Sequence, residues 1–145
     1  LTTHTIIDPG RIHILTVHKH TVQTHFINIY LGPTYTTDIT KEVLRCIANF
    51  LMHHPGNAIM LGDFTFVPLD EARFDLITTT DNHQATAVPT FFDNLFHDYT
   101  EISQPSYTRK QIRDGKISTL SRIDRIYTNR PAVELLDLHP HNADT

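Results

Sequence analysis

The sequence predicts an α/β fold, and three neighbouring stretches carry that prediction. Residues Ile12–His18 and Thr24–Leu31 are rich in β-branched side chains that alternate or run together, as strands do. Apolar residues then recur at helical spacing from Ile39 to His53. A short apolar run, Ala58–Leu61, follows the helix breaker Pro55-Gly56. Two strands, a helix and a further strand in this order are typical of an α/β sheet.

The turns and caps of these elements are also predicted. Lys19-His20-Thr21 lies near the turn of a hairpin, and Gly32-Pro33 stops the second strand. Thr37 or Asp38 caps the helix. One helix face carries the apolar positions Ile39, Val43, Leu44, Ile47, Phe50 and Leu51. The all-apolar run from 58 to 61 predicts a strand buried on both sides.

Two further elements are predicted in the second half of the chain. Residues Phe91–Phe96 favour a short helix, and Ser121–Thr128 ("SRIDRIYT") reads as the final strand. Alternation along this strand separates its side chains into two sets, Ile123, Arg125 and Tyr127 on one face and Arg122, Asp124 and Ile126 on the other. We expect Asp124 to lie on a face where burial of a charge is costly unless the charge is paired.

Length and composition narrow the class of protein. The chain has 145 residues, enough for one domain or part of one. Hydrophobic residues make up 39% and charged residues 19%, so the chain can form a core and is not of the disordered class. The sequence contains no apolar run of about 18 residues, so we predict no membrane span. It contains no basic-then-apolar leader, so we predict no signal peptide. A single cysteine, Cys46, excludes an internal disulfide framework and fits a reducing, intracellular compartment.

Basic residues concentrate between positions 109 and 130. This window holds seven basic and two acidic residues in a chain of formal net charge −4. Four of the basic residues stand close together and are our candidates for nucleic-acid binding: Arg109, Lys110, Arg113 and Lys116. Such a cluster indicates an anionic ligand, although a solvated loop explains it equally well at this point.

Eleven histidines raise the question of a metal site. His18 and His20 would share a strand face and could hold a metal between them. No HExxH pattern is present, and no cysteine lies near His139 or His141. Compositional bias is the better explanation, and we assign no metal ligand in this chain.

A carboxylate at the end of the apolar run 58–61 is the clearest chemical signal. In "IMLGDFTFVP" the apolar strand meets Gly62 and then Asp63. Sheet enzymes place their chemistry where strands end. Asp63 is therefore either a turn-capping aspartate or a general base or metal-orienting group. Together with Asp124 and the basic segment it forms a candidate site for a phosphate ester.

Four motifs along the chain carry a family resemblance. "NIYLGP" (28–33), "MLGDFTFVP" (60–68), "PSYTR" (105–109) and "SRIDRIYTN" (121–129) occur in the order found in the endonuclease/exonuclease/phosphatase superfamily. Their pattern resembles the apurinic-type endonuclease domain of non-LTR retrotransposons. The resemblance covers most of the chain.

The resemblance implies a fold and a chemistry. The fold would be a four-layered α/β sandwich, two packed sheets flanked by helices and truncated in this chain. The activity would be phosphodiester hydrolysis of DNA with Mg²⁺ or Mn²⁺, and a reverse transcriptase fused in the full-length protein is the candidate partner. Asp63 matches the aspartate that orients or deprotonates the water, and Tyr30 matches a tyrosine that contacts the phosphate. Asp124 matches the aspartate that supports the catalytic histidine.

The chain departs from the family pattern in three places. Thr65 stands where the family has asparagine, and loss of one such oriented donor typically costs on the order of 10²–10³ in rate. The family's metal-binding glutamate would precede Leu1, and its Ser-Asp-His motif would follow Thr145. His139 and His141 do not lie in that context. We therefore expect a central fragment that does not cleave DNA by itself.

Two alternatives remain open from the sequence. A phosphoesterase of the same fold could act on a lipid, an inositol phosphate or RNA. A decayed, non-catalytic remnant could still bind nucleic acid, and Thr65 favours this alternative.

Overall fold

The computed structural model describes residues 1–66, 73–75, 80–82, 87–102, 109–121 and 123–130. Within these ranges there are ten strands and two helices. The strands are β1 (Thr2–Asp8), β2 (Ile12–Lys19), β3 (Val22–Tyr30), β4 (Asn57–Asp63), β5 (Arg73–Asp75), β6 (Thr80–Asn82), β7 (Thr100–Glu101), β8 (Arg109–Arg113), β9 (Lys116–Ser121) and β10 (Asp124–Thr128). The helices are α1 (Thr37–His53) and α2 (Ala87–Leu95).

The strands form two sheets, and the predicted α/β class is confirmed. The large sheet has the order β1-β2-β3-β4-β10-β7, and the small sheet has the order β6-β5-β9-β8. Only β3 and β4 pair in parallel among the pairs that the described residues show, and α1 makes the crossover between them. β10 is antiparallel to β4, so it begins at the edge of the sheet where β3 and β4 end.

The helix α1 begins at Thr37, two residues before the predicted start at Ile39. Thr36, rather than Thr37 or Asp38, is the N-cap, and its hydroxyl accepts a hydrogen bond from the Ile39 amide at 3.2 Å. The buried face consists of Thr40, Val43, Leu44 and Ile47. Ile39 is 47% exposed, so its assignment to the buried face was wrong. No helix among the described residues is long and apolar enough to span a membrane.

The core lies between one face of the large sheet and the two helices. Ile14, Ile27 and Met60 are fully buried on that face, and Phe92 of α2 packs against them. β4 alternates in burial, and Leu61 is 36% exposed. The prediction that this strand is buried on both sides was therefore wrong, because the two helices of the described residues pack on the same face of the sheet.

Two further predicted elements have different bounds, and six of the described strands were missed. Ser121 ends β9 of the small sheet instead of starting the last strand, which begins at Asp124. The helix predicted from Phe91 begins at Ala87. The missed strands that matter here are β1 and the hairpin β8–β9. The "PSYT" part of the third motif, Arg122, His139 and His141 lie outside the described residues.

Candidate functional site

Three of the predicted site residues lie side by side at one edge of the large sheet. Tyr30, at the end of β3, is paired in register with Asp63 at the end of β4. Asp63 is in turn paired with Asp124, the first residue of β10. Neighbouring strands in a sheet are about 4.8 Å apart, and residues in register project from the same face. The structure therefore brings one phenol and two carboxylates into a row.

Gly62 lets β4 deliver Asp63 to this row. Its φ is +136°, a conformation that L side chains rarely adopt. A Cβ atom at this position would also collide with the carbonyl oxygen of Ile29 on the neighbouring strand. The close approach of β3 and β4 at the site thus requires glycine, which explains the Gly-Asp pair in the sequence.

Thr65 closes the turn that follows Asp63. Its amide donates a hydrogen bond to Asp63 Oδ1 at 2.9 Å, and its hydroxyl donates to the Phe64 carbonyl at 2.8 Å. The backbone at Thr65 is left-handed, with φ +56°. A β-branched residue is an outlier in this region, whereas asparagine enters it several-fold more often. The hydroxyl donates to the chain's own backbone, so Thr65 does not replace the oriented donor that the family's asparagine provides.

Phe64 anchors the same turn from below. Its side chain is fully buried, and its amide donates to the Ile123 carbonyl at 2.9 Å. The ring lies 5.3–5.9 Å from the rings of Phe66, Phe92 and Tyr127, in edge-to-face geometry. The turn that carries Asp63 and Thr65 therefore rests on a packed aromatic cluster.

The row of polar side chains opens into a cleft of about 620 Å³. All four predicted catalytic residues line it, Tyr30, Asp63, Thr65 and Asp124. The other lining residues are Gly32, Pro33, Tyr35, Thr40, Gln111 and Ile123. Among the described residues of this lining, Asp63 and Asp124 are the charged ones, so this part of the cleft floor is acidic.

The basic segment is a hairpin beside this cleft, not a loop. Strands β8 and β9 pair in antiparallel fashion, and Gln111 of β8 reaches the cleft. Lys110, Arg113 and Lys116 are exposed on the hairpin, while the side chain of Arg109 lies outside the described ones. Cations on an arm next to an acidic floor can hold the backbone of a polyanion.

A second aromatic residue, Tyr35, lines the cleft near Tyr30, and an arginine packs against both rings. The Tyr35 hydroxyl donates a hydrogen bond to the Asp8 carboxylate. Burial, together with this carboxylate, raises the pKa of Tyr35 to about 12. The Arg11 guanidinium lies over both rings, with Cζ 5.3 Å from the centre of Tyr30 and 4.9 Å from the centre of Tyr35. Sequence reasoning did not single out Arg11 or Tyr35.

The buried charge on β10 is Arg125, not Asp124. The Asp124 side chain is exposed, so the expectation that it lies on a buried face was wrong. Arg125 is 2% exposed and forms an ion pair with Glu101 of β7 at 3.0 Å. The two sets of side chains along the strand were predicted correctly. The buried set is Ile123, Arg125 and Tyr127, and not the set that contains Asp124.

The histidines do not assemble a metal centre in the described residues. His18 lies in β2, whereas His20 lies in the following turn with φ +56°, so the two do not share a strand face as predicted. No group of three or more His, Cys, Asp or Glu side chains able to hold a metal ion occurs among the described positions.

Comparison with known proteins identifies the fold only through solved structures. No protein-family model and no curated protein matches the sequence. The endonuclease domain of TRAS1, a telomere-specific non-LTR retrotransposon, is similar with a TM-score of 0.65 and 13% identity, over 92% of this chain and 58% of that domain.

Two further structures are similar over shorter shares of their length. TDP2 of D. rerio, complexed with a single-strand DNA product, has a TM-score of 0.53 and 14% identity over 88% of this chain and 51% of its own. The AP endonuclease LMAP from Leishmania major has a TM-score of 0.55 and 13% identity over 82% and 46%. The chain thus spans about half the length of the structures it matches.

Proposed function

Because the chain has the fold of the endonuclease/exonuclease/phosphatase superfamily, we propose that it is the central part of a metal-dependent DNA endonuclease of a retroelement. One observation carries the proposal: Tyr30, Asp63 and Asp124 stand in register on three adjacent strands and face one cleft. The proposal covers the activity, the substrate and the partners of the whole protein. A fused reverse transcriptase is part of it.

The roles of the site residues follow from their chemistry. We infer that the Asp63 carboxylate orients the attacking water or accepts the proton of that water, since Asp63 lies at the end of β4 and lines the cleft. The Tyr30 hydroxyl is a neutral donor suited to a phosphate oxygen. Asp124 is suited to orient a histidine supplied by another part of the protein, in the manner of a catalytic aspartate.

The donor set of the cleft fits a hard divalent cation. Asp63 and Asp124 offer carboxylate oxygens only, which is the ligand type that Mg²⁺ and Mn²⁺ prefer. Magnesium in phosphoryl-transfer sites is commonly held by one or two carboxylates together with substrate phosphates. When bound, such an ion neutralises charge on the phosphate. Ligands from elsewhere in the protein would hold it, and the carboxylates of Asp63 and Asp124 would place negative charge beside it.

DNA is the substrate that the charges favour. The acidic floor repels a free polyanion, so affinity must come from cations around it, and Lys110, Arg113 and Lys116 stand exposed on the adjoining hairpin. Arg109 is included in this surface on sequence grounds. Phosphate contacts of this kind release counterions, so binding should weaken steeply as salt rises.

A non-catalytic nucleic-acid binder is the second candidate, and Thr65 favours it. Its hydroxyl is occupied by the Phe64 carbonyl, and its backbone is in a region that suits asparagine better. A protein of this kind would keep the salt-dependent DNA binding and lack cleavage. A same-fold enzyme for lipid, inositol or RNA substrates has no observation of its own in its favour.

Cleavage of a labelled DNA duplex by the full-length protein tests the proposal. We expect cleavage in Mg²⁺ or Mn²⁺, none in EDTA, and a loss of at least about 100-fold in kcat for Asp63→Asn. Asparagine can still accept the Thr65 amide hydrogen bond, so the turn is preserved. Asp98→Asn is the matched control, since Asp98 lines a pocket at the opposite end of the sheet. A protein that binds duplex DNA and never cleaves it would establish the second candidate instead.

A further inference from the structure

The guanidinium of Arg11 is held between two aromatic rings rather than against a carboxylate. Its Cζ atom lies about equally far from the rings of Tyr30 and Tyr35, at 5.3 and 4.9 Å. Its Nη2 atom donates a hydrogen bond to Thr34 Oγ1 at 3.0 Å. Its Nη1 atom is buried and has no hydrogen-bond partner within the described part of the chain. The packing of the two rings, not an ion pair, fixes this cation.

The backbone places Arg11 in this position from two sides. The Arg11 amide donates to the Asp8 carbonyl at 3.0 Å, which closes the turn before β2. The Tyr30 amide donates to the Arg11 carbonyl at 2.9 Å, which ties the residue to the end of β3. Gly32 leaves the space that the guanidinium occupies, because a Cβ atom there would meet Arg11 Nη1 and the Tyr30 ring.

A cation in this arrangement restricts the ring beside it. The Tyr30 ring is 43% exposed, so without a neighbour on its inner face it would be free to change rotamer. The planar guanidinium offers a flat surface to a ring, which the ammonium of lysine does not. Burial of Nη1 without a hydrogen bond is unfavourable.

We propose that Arg11 is a positioning residue that fixes the Tyr30 phenol at the rim of the cleft for contact with the phosphodiester. The inference rests on the proposed function. Arg11 acts through Tyr30 and does not itself touch the substrate, since its Nη1 is buried. An oriented phenol contributes to the ground state and the transition state alike, so its loss should raise KM and leave kcat nearly unchanged.

Steady-state cleavage kinetics of the full-length protein on a DNA duplex test this inference. Arg11→Lys keeps the charge and removes the planar group. We expect it to raise KM about tenfold, the size of a partly desolvated cation–π contact, with kcat changed by less than about twofold. Tyr30→Phe keeps the ring and removes the hydroxyl. In that background Arg11→Lys should have no further effect on KM.

Gly32→Ala is a second variant that disturbs the same contact without changing a charge. It should raise KM in the same way, since the added methyl group competes with the guanidinium for space. Arg45→Lys is the matched control. Arg45 also lies over a ring, 5.0 Å from the centre of Phe91, but it stands on the outer side of α1 away from the cleft. Its kinetics should equal those of the wild type.

The outcomes separate this inference from the proposed function. Wild-type KM in Arg11→Lys would mean that charge alone suffices and would overturn the positioning role. An equal rise of KM in the Tyr30→Phe background would overturn it as well. The ¹³C resonances of a labelled Tyr30 ring give a readout without DNA, and Arg11→Lys should shift or broaden them. Unchanged ring signals would contradict the positioning role of Arg11, whether or not the wild type cleaves DNA. Absence of cleavage by the wild type would by itself refute only the proposed endonuclease function.

Discussion

The two ends of strands β3, β4 and β10 use polar side chains in opposite ways. At the end away from the cleft, the Asn129 amide joins two backbone groups, accepting from the Ala58 amide and donating to the Gly56 carbonyl, both at 2.9 Å. The buried His25 ring is held in the same manner between the Thr16 hydroxyl and the His54 carbonyl, both at 2.8 Å. At the cleft end, Tyr30, Asp63 and Asp124 form a row along open space.

This difference separates a stabilising region from a functional one. Polar side chains that complete the hydrogen bonds of partly buried backbone groups contribute to the free energy of unfolding. Two carboxylates directly opposite each other on neighbouring strands work against it. Under the proposed function a ligand of the cleft would need both charges, which would explain why the fold tolerates this pair.

The largest effect should come from Gly62, because it controls how the cleft end is built. Gly62→Ala should destabilise the fold by about 3 kcal/mol, since the methyl group adds backbone strain and collides with the Ile29 carbonyl. Gly10→Ala is the control. Gly10 has φ +73° but no atom within 4 Å of an added Cβ, so it should cost only about 1 kcal/mol. Urea unfolding gives both numbers, and equal losses would show that the close approach at Gly62 does not matter.

Asn129 tests the opposite end of the strands. Asn129→Ala leaves the Ala58 amide and the Gly56 carbonyl without their side-chain partner and should cost about 2 kcal/mol in the free energy of unfolding. Asn49→Ala, on the exposed side of α1, should change stability little or raise it slightly. Chemical denaturation of both variants decides. A neutral Asn129→Ala would remove the proposed contrast between the two ends.

Thr65→Asn should give a gain of smaller size at the cleft end. Asparagine tolerates the left-handed backbone that Thr65 adopts at φ +56°, so we expect about 1 kcal/mol of added stability. The new amide can also donate into the cleft, and kcat of an active full-length protein should rise. Thermal melts and cleavage assays measure the two effects. Added stability with no cleavage at all would favour the non-catalytic binder.

The smallest effect concerns His25 and pH. Burial lowers the pKa of His25 from its ordinary value of 6.5, so the unfolded chain binds this proton more readily than the folded one. The contribution is fully present above about pH 6.5 and is lost as the pH falls toward the folded pKa. Tm between pH 7.5 and 5.5 should therefore fall less in His25→Gln than in the wild type. His97→Gln, an exposed control, should follow the wild type, and identical curves for all three would contradict the assignment.

The sequence predicted the central elements because their patterns are strong. Each of these elements buries the side chains of one face, and the apolar residues of that face recur at a regular spacing in the sequence. They are the strands β2 and β3, the helix α1 and the strand ending at Asp63. β1 escaped because it is an edge strand whose side chains are mostly exposed, which removes the alternation. Its membership of the sheet depends on pairing with β2.

The hairpin β8–β9 was missed although the sequence carries a signal for it. Asp114-Gly115 is a common type I′ turn pair, and both residues have positive φ, +53° and +74°. The density of charge around this pair favoured a loop interpretation. Arg11, in contrast, had no local signal, because its contacts with Tyr30 and Tyr35 arise only when β2 and β3 are paired.

The sequence motifs predicted which residues form the candidate site, but not the orientation of their side chains. Tyr30, Asp63, Thr65 and Asp124 do line one cleft. Their catalytic roles stay predictions. The sequence could not reveal that the Thr65 hydroxyl turns to its own backbone, because that depends on the left-handed conformation of a single residue.

A paired measurement of kcat and Tm on Asp63→Asn and Asn129→Ala in the full-length protein tests whether one end of the strands serves cleavage and the other serves stability. Asp63→Asn should reduce kcat for DNA cleavage by at least about 100-fold while Tm stays close to that of the wild type, since asparagine can still accept the Thr65 amide hydrogen bond. Asn129→Ala should lower Tm and leave kcat of the folded protein within about twofold of the wild type. Cleavage that survives Asp63→Asn, or that is lost only together with folding, would contradict the account.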